Sequence, residues 1–186
     1  QAARRAPPHL AVAVGVGRGL LGGCSPGLHG AGGAQNALGD VAELPALRRP
    51  VGAAYPLFRG PVARRMAAAV WPHRAVFVTP MAAVAGAVAD ELLAAMTGAA
   101  PLDKAFVNDG GDVAVHLAAG ETMAVGLATD FSKGPVPAVD GRAVLRSGDG
   151  IGGVATSGRQ GRSFSFGIAD SVTVLARDAA GADAAA

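Results

Sequence analysis

Cysteine is nearly absent. Cys24 stands alone among 186 residues, which excludes an internal disulfide framework and any metal site built from several thiolates. Aromatic residues make up 4% of the chain and charged residues 16%. The Lys and Arg residues are scattered singly or in pairs such as Arg48-Arg49 and Arg64-Arg65. Nucleic-acid binding needs a clustered basic face with stacking aromatics, so a net charge of +2 does not point to a nucleic-acid partner. No uninterrupted apolar run reaches the roughly 18 residues of a membrane span. The four histidines, His9, His29, His73 and His116, lack metal-ligand spacing, and His116 sits in an alternating stretch where a packing role is the ordinary one. A nucleophile-elbow pentapeptide is also missing.

What is present is small and apolar: 51% hydrophobic residues and 28 glycines. The length suits one domain with a real core. Residues 1–35 are rich in Gly, Ala and Pro without a clear period and are expected to form an irregular leader, with the folded domain over 36–186. The leader's "GVGRG" lacks the Gly-Lys-Ser/Thr ending of a phosphate loop. A cytoplasmic location is expected. The alternative is lipid anchoring or export, because paired arginines, an apolar run and "LLGGC" resemble a bacterial lipoprotein cleavage site.

"NALGDVAELPALRR" holds a short helix ended by Pro45 or Pro50. In "GPVARRMAAAVW", Pro61 suits a first helical turn and Val62, Met66, Ala69 and Val70 share a face, with Pro72 as a stop. "FVTPMAAVAGAVADELLAAMTG" predicts the longest helix, over 80–98, with Thr79 as N-cap and Gly98 in the left-handed conformation that ends it. Its apolar stripe is Met81, Val84, Ala85, Val88, Leu92 and Met96. The small residues beside the stripe admit either a neighbouring backbone or a flat ligand, and permit a homo-oligomer contact. From Lys104 the pattern turns to strands: "KAFVN", "DVAVHL", "MAVGLA", "GRAVLRS", "GGVATS", "SFSFG" and "DSVTVLA". Helices then strands predict an α+β domain, a mostly antiparallel sheet with helices packed on one face. "RDAAGADAAA" starts a further helix, expected to be truncated at Ala186.

Two stretches carry candidate chemistry. "VNDGGDVAVHL" crowds Asn108, Asp109, Gly110, Gly111 and Asp112 into one turn. Its oxygens and bare glycine backbone could meet a ribose, a flavin or pterin edge, or a cation, or the same residues could simply form an Asp-Gly hairpin. "GGVATSGRQGRSFSFGIAD" places Thr156, Ser157, Gly158, Arg159, Gly161, Arg162 and Ser163 together. Hydroxyls, free N–H groups and guanidiniums suit a phosphate or pyrophosphate, and a solvated loop is the alternative.

Together with "FVTPMAAVAGAVADELLAAM", these stretches resemble an uncharacterised bacterial and archaeal family related to ApbE, the FAD:protein FMN transferases once tied to thiamine biosynthesis. The likeness covers roughly residues 40–186. It implies an ApbE-like (T-fold-like) domain with FAD or FMN and Mg²⁺ as cofactors and a small-molecule cofactor or nucleotide as partner. It places Asn108, Gly110, Gly111, Asp112, Thr156, Ser157, Gly158 and Arg159 on the ligand and Asp183 on the metal. The likeness keeps Gly86 and Asp90, but Ala85 and Ala87 stand where ApbE enzymes carry lysine and tyrosine. A His-x-x-Asp-Pro-x-x-Gly segment is also missing. The activities implied are therefore metal-dependent transfer or hydrolysis at a pyrophosphate, or a binding or assembly role without catalysis.

Overall fold

Alternation in the second half of the chain becomes antiparallel sheet. The computed structural model describes residues 12–17, as backbone, together with 41–127, 141–158 and 168–186. Among these lie seven strands: β1 (Val12–Gly17), β2 (Lys104–Asp109), β3 (Asp112–Leu117), β4 (Thr122–Leu127), β5 (Gly141–Arg146), β6 (Gly153–Ser157) and β7 (Val172–Ala176). Five form one sheet in the order β1-β2-β3-β6-β7, and β4 pairs with β5 in a separate ribbon. Every pairing is antiparallel. "SFSFG" lies outside the described residues.

The helices are α1 (Leu44–Leu47), α2 (Pro61–Val70), α3 (Val84–Ala99) and α4 (Ala179–Ala185). Pro61 opens α2, and Val62, Ala63, Met66, Ala67 and Val70 are its buried face. In α1, Pro45 sits in the first turn rather than ending the helix, where a missing N–H is harmless because that donor has no intrahelical acceptor.

The two faces of the sheet are covered differently. On β2, Ala105, Val107 and Asp109 are buried, and Ala114 of β3 stands opposite Val107. Ala105, Val107 and Ala114 pack with Ala89 and Leu93 of α3 and Ala179 of α4, so this is the helix face. Val115 and Val154 point the other way and meet Leu145 of the β4–β5 ribbon. The helix layer matches the α+β expectation. The ribbon over the second face was not foreseen, because its pairing joins segments that no local pattern connects.

Three expectations are corrected. The strand Val12–Gly17 pairs with β2 inside the stretch expected to be irregular; glycines had obscured valines at every second position. Gly98 is not among the residues with positive φ, and α3 runs on through it to Ala99. Thr79 has extended backbone but no side-chain cap bond, and Pro80–Ala83 form a 3₁₀ turn before α3.

Within α3 the deepest face is also not the large-residue stripe but Gly86, Ala87, Ala89, Asp90 and Leu93. The cause is close approach of α4. A Cβ on Gly86 would meet the Ala179 carbonyl oxygen at 2.2 Å, so a neighbouring backbone, not a ligand, fills that space. A Cβ on Gly153 would meet the Ala179 nitrogen, also at 2.2 Å. Carboxylates lock the contact from both helices. Asp90 of α3 accepts from the N–H groups of Ala179 (3.0 Å) and Ala180 (2.8 Å), the first two of α4, while Asp178 accepts from Gly181 at 2.7 Å. Asp183 of α4 in return accepts from Gly86 at 3.0 Å and from Ala85, near the start of α3. N–H groups that lack intrahelical acceptors are thereby satisfied at both helix starts.

Two glycines of one helix should therefore respond in opposite directions. Gly86→Ala forces backbone apart and should lower stability in urea unfolding by ~1–3 kcal/mol or more. Gly98→Ala, with nothing within 4 Å of the added carbon, should raise it by ~0.5–1 kcal/mol. Equal effects would show that α3 and α4 do not pack this closely.

Candidate functional site

The crowded turn is a hairpin. Gly110 (φ 69°) and Gly111 (φ 120°) occupy the left-handed conformations that a two-residue loop between β2 and β3 requires. The side-chain oxygen of Asn108 accepts from the Gly111 N–H at 2.9 Å, so that oxygen serves the turn. Both glycines face open space. Turn formation accounts for the conformation of these three residues.

The hairpin's carboxylates behave otherwise. Asp109 and Asp112 are cross-strand partners flanking the two glycines, and the two-residue period puts Asp109 on the same face as Ala105 and Val107, toward the helices. Asp109 is 2% exposed, and its Oδ1 has no hydrogen-bond partner among the described residues. Burial raises its pKa. Asp112 is half-buried and is pushed up to about 7, by burial first and then by the negative charges of Asp183 and Asp109, against a lowering bond from the Thr156 N–H. Asp183 is pushed up to about 6 by burial, with repulsion from Asp109 adding to it, although the Gly86 and Ala85 N–H groups pull the other way. Burial therefore outweighs the helix start that favours the anion.

Three carboxylates from two distant segments thus lie within Coulombic reach of one another, beside the beginning of α3 and the end of β6. We call this region the acidic apex. Asp112 and Asp183, both expected site residues, come together there. Asp109, which the family likeness does not place on ligand or metal, joins them; the available signal was a carboxylate at an inward position of an alternating strand.

The second expected stretch contributes less. Thr156 gives its backbone N–H to Asp112, but its hydroxyl bonds Thr173 Oγ1 at 2.9 Å. Ser157 is half-buried at the end of β6. Gly158 is buried, and a Cβ there would lie 2.1 Å from the Asp170 carbonyl oxygen, so its bareness admits a neighbouring backbone. Arg159, Gly161, Arg162 and Ser163 lie outside the described residues. Asp90, retained from the family pattern, is engaged by α4, and burial raises its pKa against the two N–H bonds that lower it.

A cleft of about 390 Å³ lies between α2 and the start of α4, lined by Arg65, His73, Asp90, Arg177 and Asp178 among others; none of Asp109, Asp112 and Asp183 lines it. Among the described residues no three His, Cys, Asp or Glu side chains form a ready metal cluster. The donor set still fits Mg²⁺, which is commonly held by one or two carboxylates with water and ligand phosphates completing its octahedron. Asp112 and Asp183 can supply that pair, and the unpartnered Asp109 oxygen marks the local excess of negative charge.

Three proteins similar to the chain carry names that state no activity. A UPF0280 protein of Archaeoglobus fulgidus is 40% identical over 109 residues, 59% of this chain and 42% of its own length. One from Methanothrix thermoacetophila is 41% identical over 109 residues, 59% of this chain and 44% of that protein. One from Methanospirillum hungatei is 37% identical over 131 residues, 69% of this chain and 50% of that protein. The chain thus spans half or less of the length of these relatives. A family model described as AbpE bacteria matches residues 35–186, the span that holds α1 to α4, the hairpin and all three apex carboxylates, and the chain belongs to that family.

Proposed function

We propose that the acidic apex binds a flavin- or nucleotide-type ligand through a divalent cation, Mg²⁺ by preference, and that the chemistry is metal-dependent transfer or hydrolysis at the ligand's pyrophosphate. The observation that carries this reading is the gathering of Asp109, Asp112 and Asp183, whose pKa values burial raises, with the charge of Asp109 adding to the rise at Asp112 and Asp183. Apposed carboxylates without a cation repel each other, and a bound cation turns that repulsion into attraction. Bound Mg²⁺ would polarise a phosphoryl oxygen and neutralise charge that develops on it.

Each residue has a stated part. Asp183 and Asp112 would hold the cation, one fixed by α4 and the other by the hairpin. Ser157 and, from the family likeness, Arg159 would lie toward the phosphates. The N–H groups of Ala85 and Gly86 hold the Asp183 carboxylate in place, and the Thr156 N–H holds Asp112.

A second reading, ligand binding without catalysis, is favoured by Ala85 and Ala87. Neither methyl side chain can donate a hydrogen bond or carry a proton, so the start of α3 supplies only backbone to the reacting groups.

Incubation with FAD, Mg²⁺ and a peptide acceptor, read by mass spectrometry, should release AMP, with or without FMN on the peptide, and Asp183→Asn should abolish the release. Intact FAD alongside measurable binding would support the second reading. Failure to bind FAD or other pyrophosphate nucleotides would overturn both.

Mg²⁺ affinity measured by calorimetry should drop by roughly tenfold or more in Asp112→Asn and in Asp183→Asn. It should also rise as pH increases through about 6 to about 7, where Asp183 and Asp112 lose their protons. Stability without metal should run the opposite way. Both carboxyls have folded pKa values above the ordinary value of 3.8. Their contribution is therefore full below that value and is lost as pH rises through about 6 to about 7, amounting to a few kcal/mol at most. Urea midpoints that stayed level from pH 4 to pH 8 would contradict this assignment.

A further inference from the structure

Residues 41–78 carry a surface that the acidic apex does not use. Two irregular segments run side by side there: the Val51 N–H donates to the Val78 carbonyl at 2.9 Å, and the Tyr55 ring meets Trp71 edge-on with centroids 5.1 Å apart. From these segments large apolar side chains project into solvent. Leu57 is 89% exposed, Val76 and Phe77 66% each, and Tyr55 43%. An apolar groove, walled by Ala46, Pro50, Val51, Pro56 and Phe58, continues the surface past Leu57. Exposed large side chains gathered in this way mark an interaction site rather than ordinary surface.

The charge around them is one-sided. Six arginines and one glutamate fall within residues 41–78, leaving ten basic against thirteen acidic residues in the rest of the chain. Arg48, Arg49, Arg59, Arg64 and Arg74 are exposed. The one acid, Glu43, accepts from the backbone N–H groups of Arg59 (2.6 Å) and Gly60 (3.2 Å), so it ties the surface together. Arg74 lies over the Trp71 ring, 4.4 Å from its centroid.

We infer that this face docks on an anionic lipid surface, with Leu57, Val76 and Phe77 entering the boundary between headgroups and acyl chains and the arginines meeting lipid phosphates. Two copies of an arginine-rich face would repel, which disfavours a homodimer through it. The side chains project from irregular backbone rather than from one flat helix or sheet face. That shape suits a fluid layer that closes around each one better than a rigid complementary protein. Trp71 and Tyr55 are of the type that concentrates at membrane–water boundaries.

The full chain should co-sediment with large unilamellar vesicles of phosphatidylcholine containing 30% phosphatidylglycerol (roughly a cytoplasmic leaflet's anionic share), and not with phosphatidylcholine alone. The emission of Trp71, the one tryptophan, should shift to the blue. Binding should fall roughly tenfold or more in Leu57→Ser/Phe77→Ser and in Arg48→Gln/Arg49→Gln, and in about 0.5 M salt. All altered side chains are exposed, and unchanged far-UV circular dichroism would show that the variants fold. No binding to anionic vesicles overturns the inference. So does binding that neither variant weakens, or selective binding to soluble poly-glutamate in place of vesicles, which would indicate an acidic protein partner.

Discussion

The reciprocal hold between α3 and α4 is the constraint on which the rest depends. Each helix offers a carboxylate to the other's start: Asp90 to Ala179 and Ala180, Asp183 to Gly86 and Ala85. A hydrogen bond from an N–H to a charged acceptor is among the stronger ones, and a helix start left without acceptors in a buried contact costs ~1–3 kcal/mol per group. Such an exchange needs the two backbones almost in contact. Gly86 and Gly153 permit it by carrying no Cβ where the backbone of Asp178 to Ala180 passes.

That packing also sets the chemistry. With α4 pressed against the end of the sheet, Asp183 lands beside the β2–β3 hairpin, within the fields of Asp109 and Asp112. The same side chain therefore stabilises α3 and raises the negative charge density of the apex. A residue with both duties limits what substitution can separate: removing Asp183 takes away an α3 cap as well as a candidate cation ligand. Asp112 is the cleaner probe of the two, because its one described backbone bond, from Thr156, lies at the fringe of the β3–β6 pairing, which covers Val113–Val154 and Ala114–Gly153.

Local chemistry was legible in the sequence and long-range chemistry was not. Pro61 and the spacing of Val62, Met66 and Val70 fixed α2; the alternation in "KAFVN" and "DVAVHL" fixed β2 and β3; the paired glycines gave the hairpin between them. The likeness to the ApbE-related family supplied Asp183, which no local pattern would have singled out. What stayed hidden depended on contacts across the fold. Asp90 reads as a polar residue in a helix, and only the arrival of α4 about 90 residues later gives it a role. Asp109 looked like turn chemistry, though the strand period already aimed it inward. The β4–β5 ribbon and the pairing of β1 with β2 join segments whose meeting no short window encodes, and β1 was further disguised by its glycines. At Gly158 a bare backbone beside hydroxyls suggests phosphate, and only the fold shows that the same bareness accommodates the backbone of Asp170.

Convergence of the hairpin, the starts of α3 and β6's last residues on one cation is the central claim, and paramagnetic broadening by Mn²⁺ in place of Mg²⁺ tests it most directly. In amide spectra of the labelled protein, the signals of Ala85, Gly86, Gly111, Asp112, Thr156 and Asp183 should broaden together at low Mn²⁺, ahead of those from the β4–β5 ribbon. Broadening that begins elsewhere, or that reaches the hairpin without the α3 start, would contradict the account.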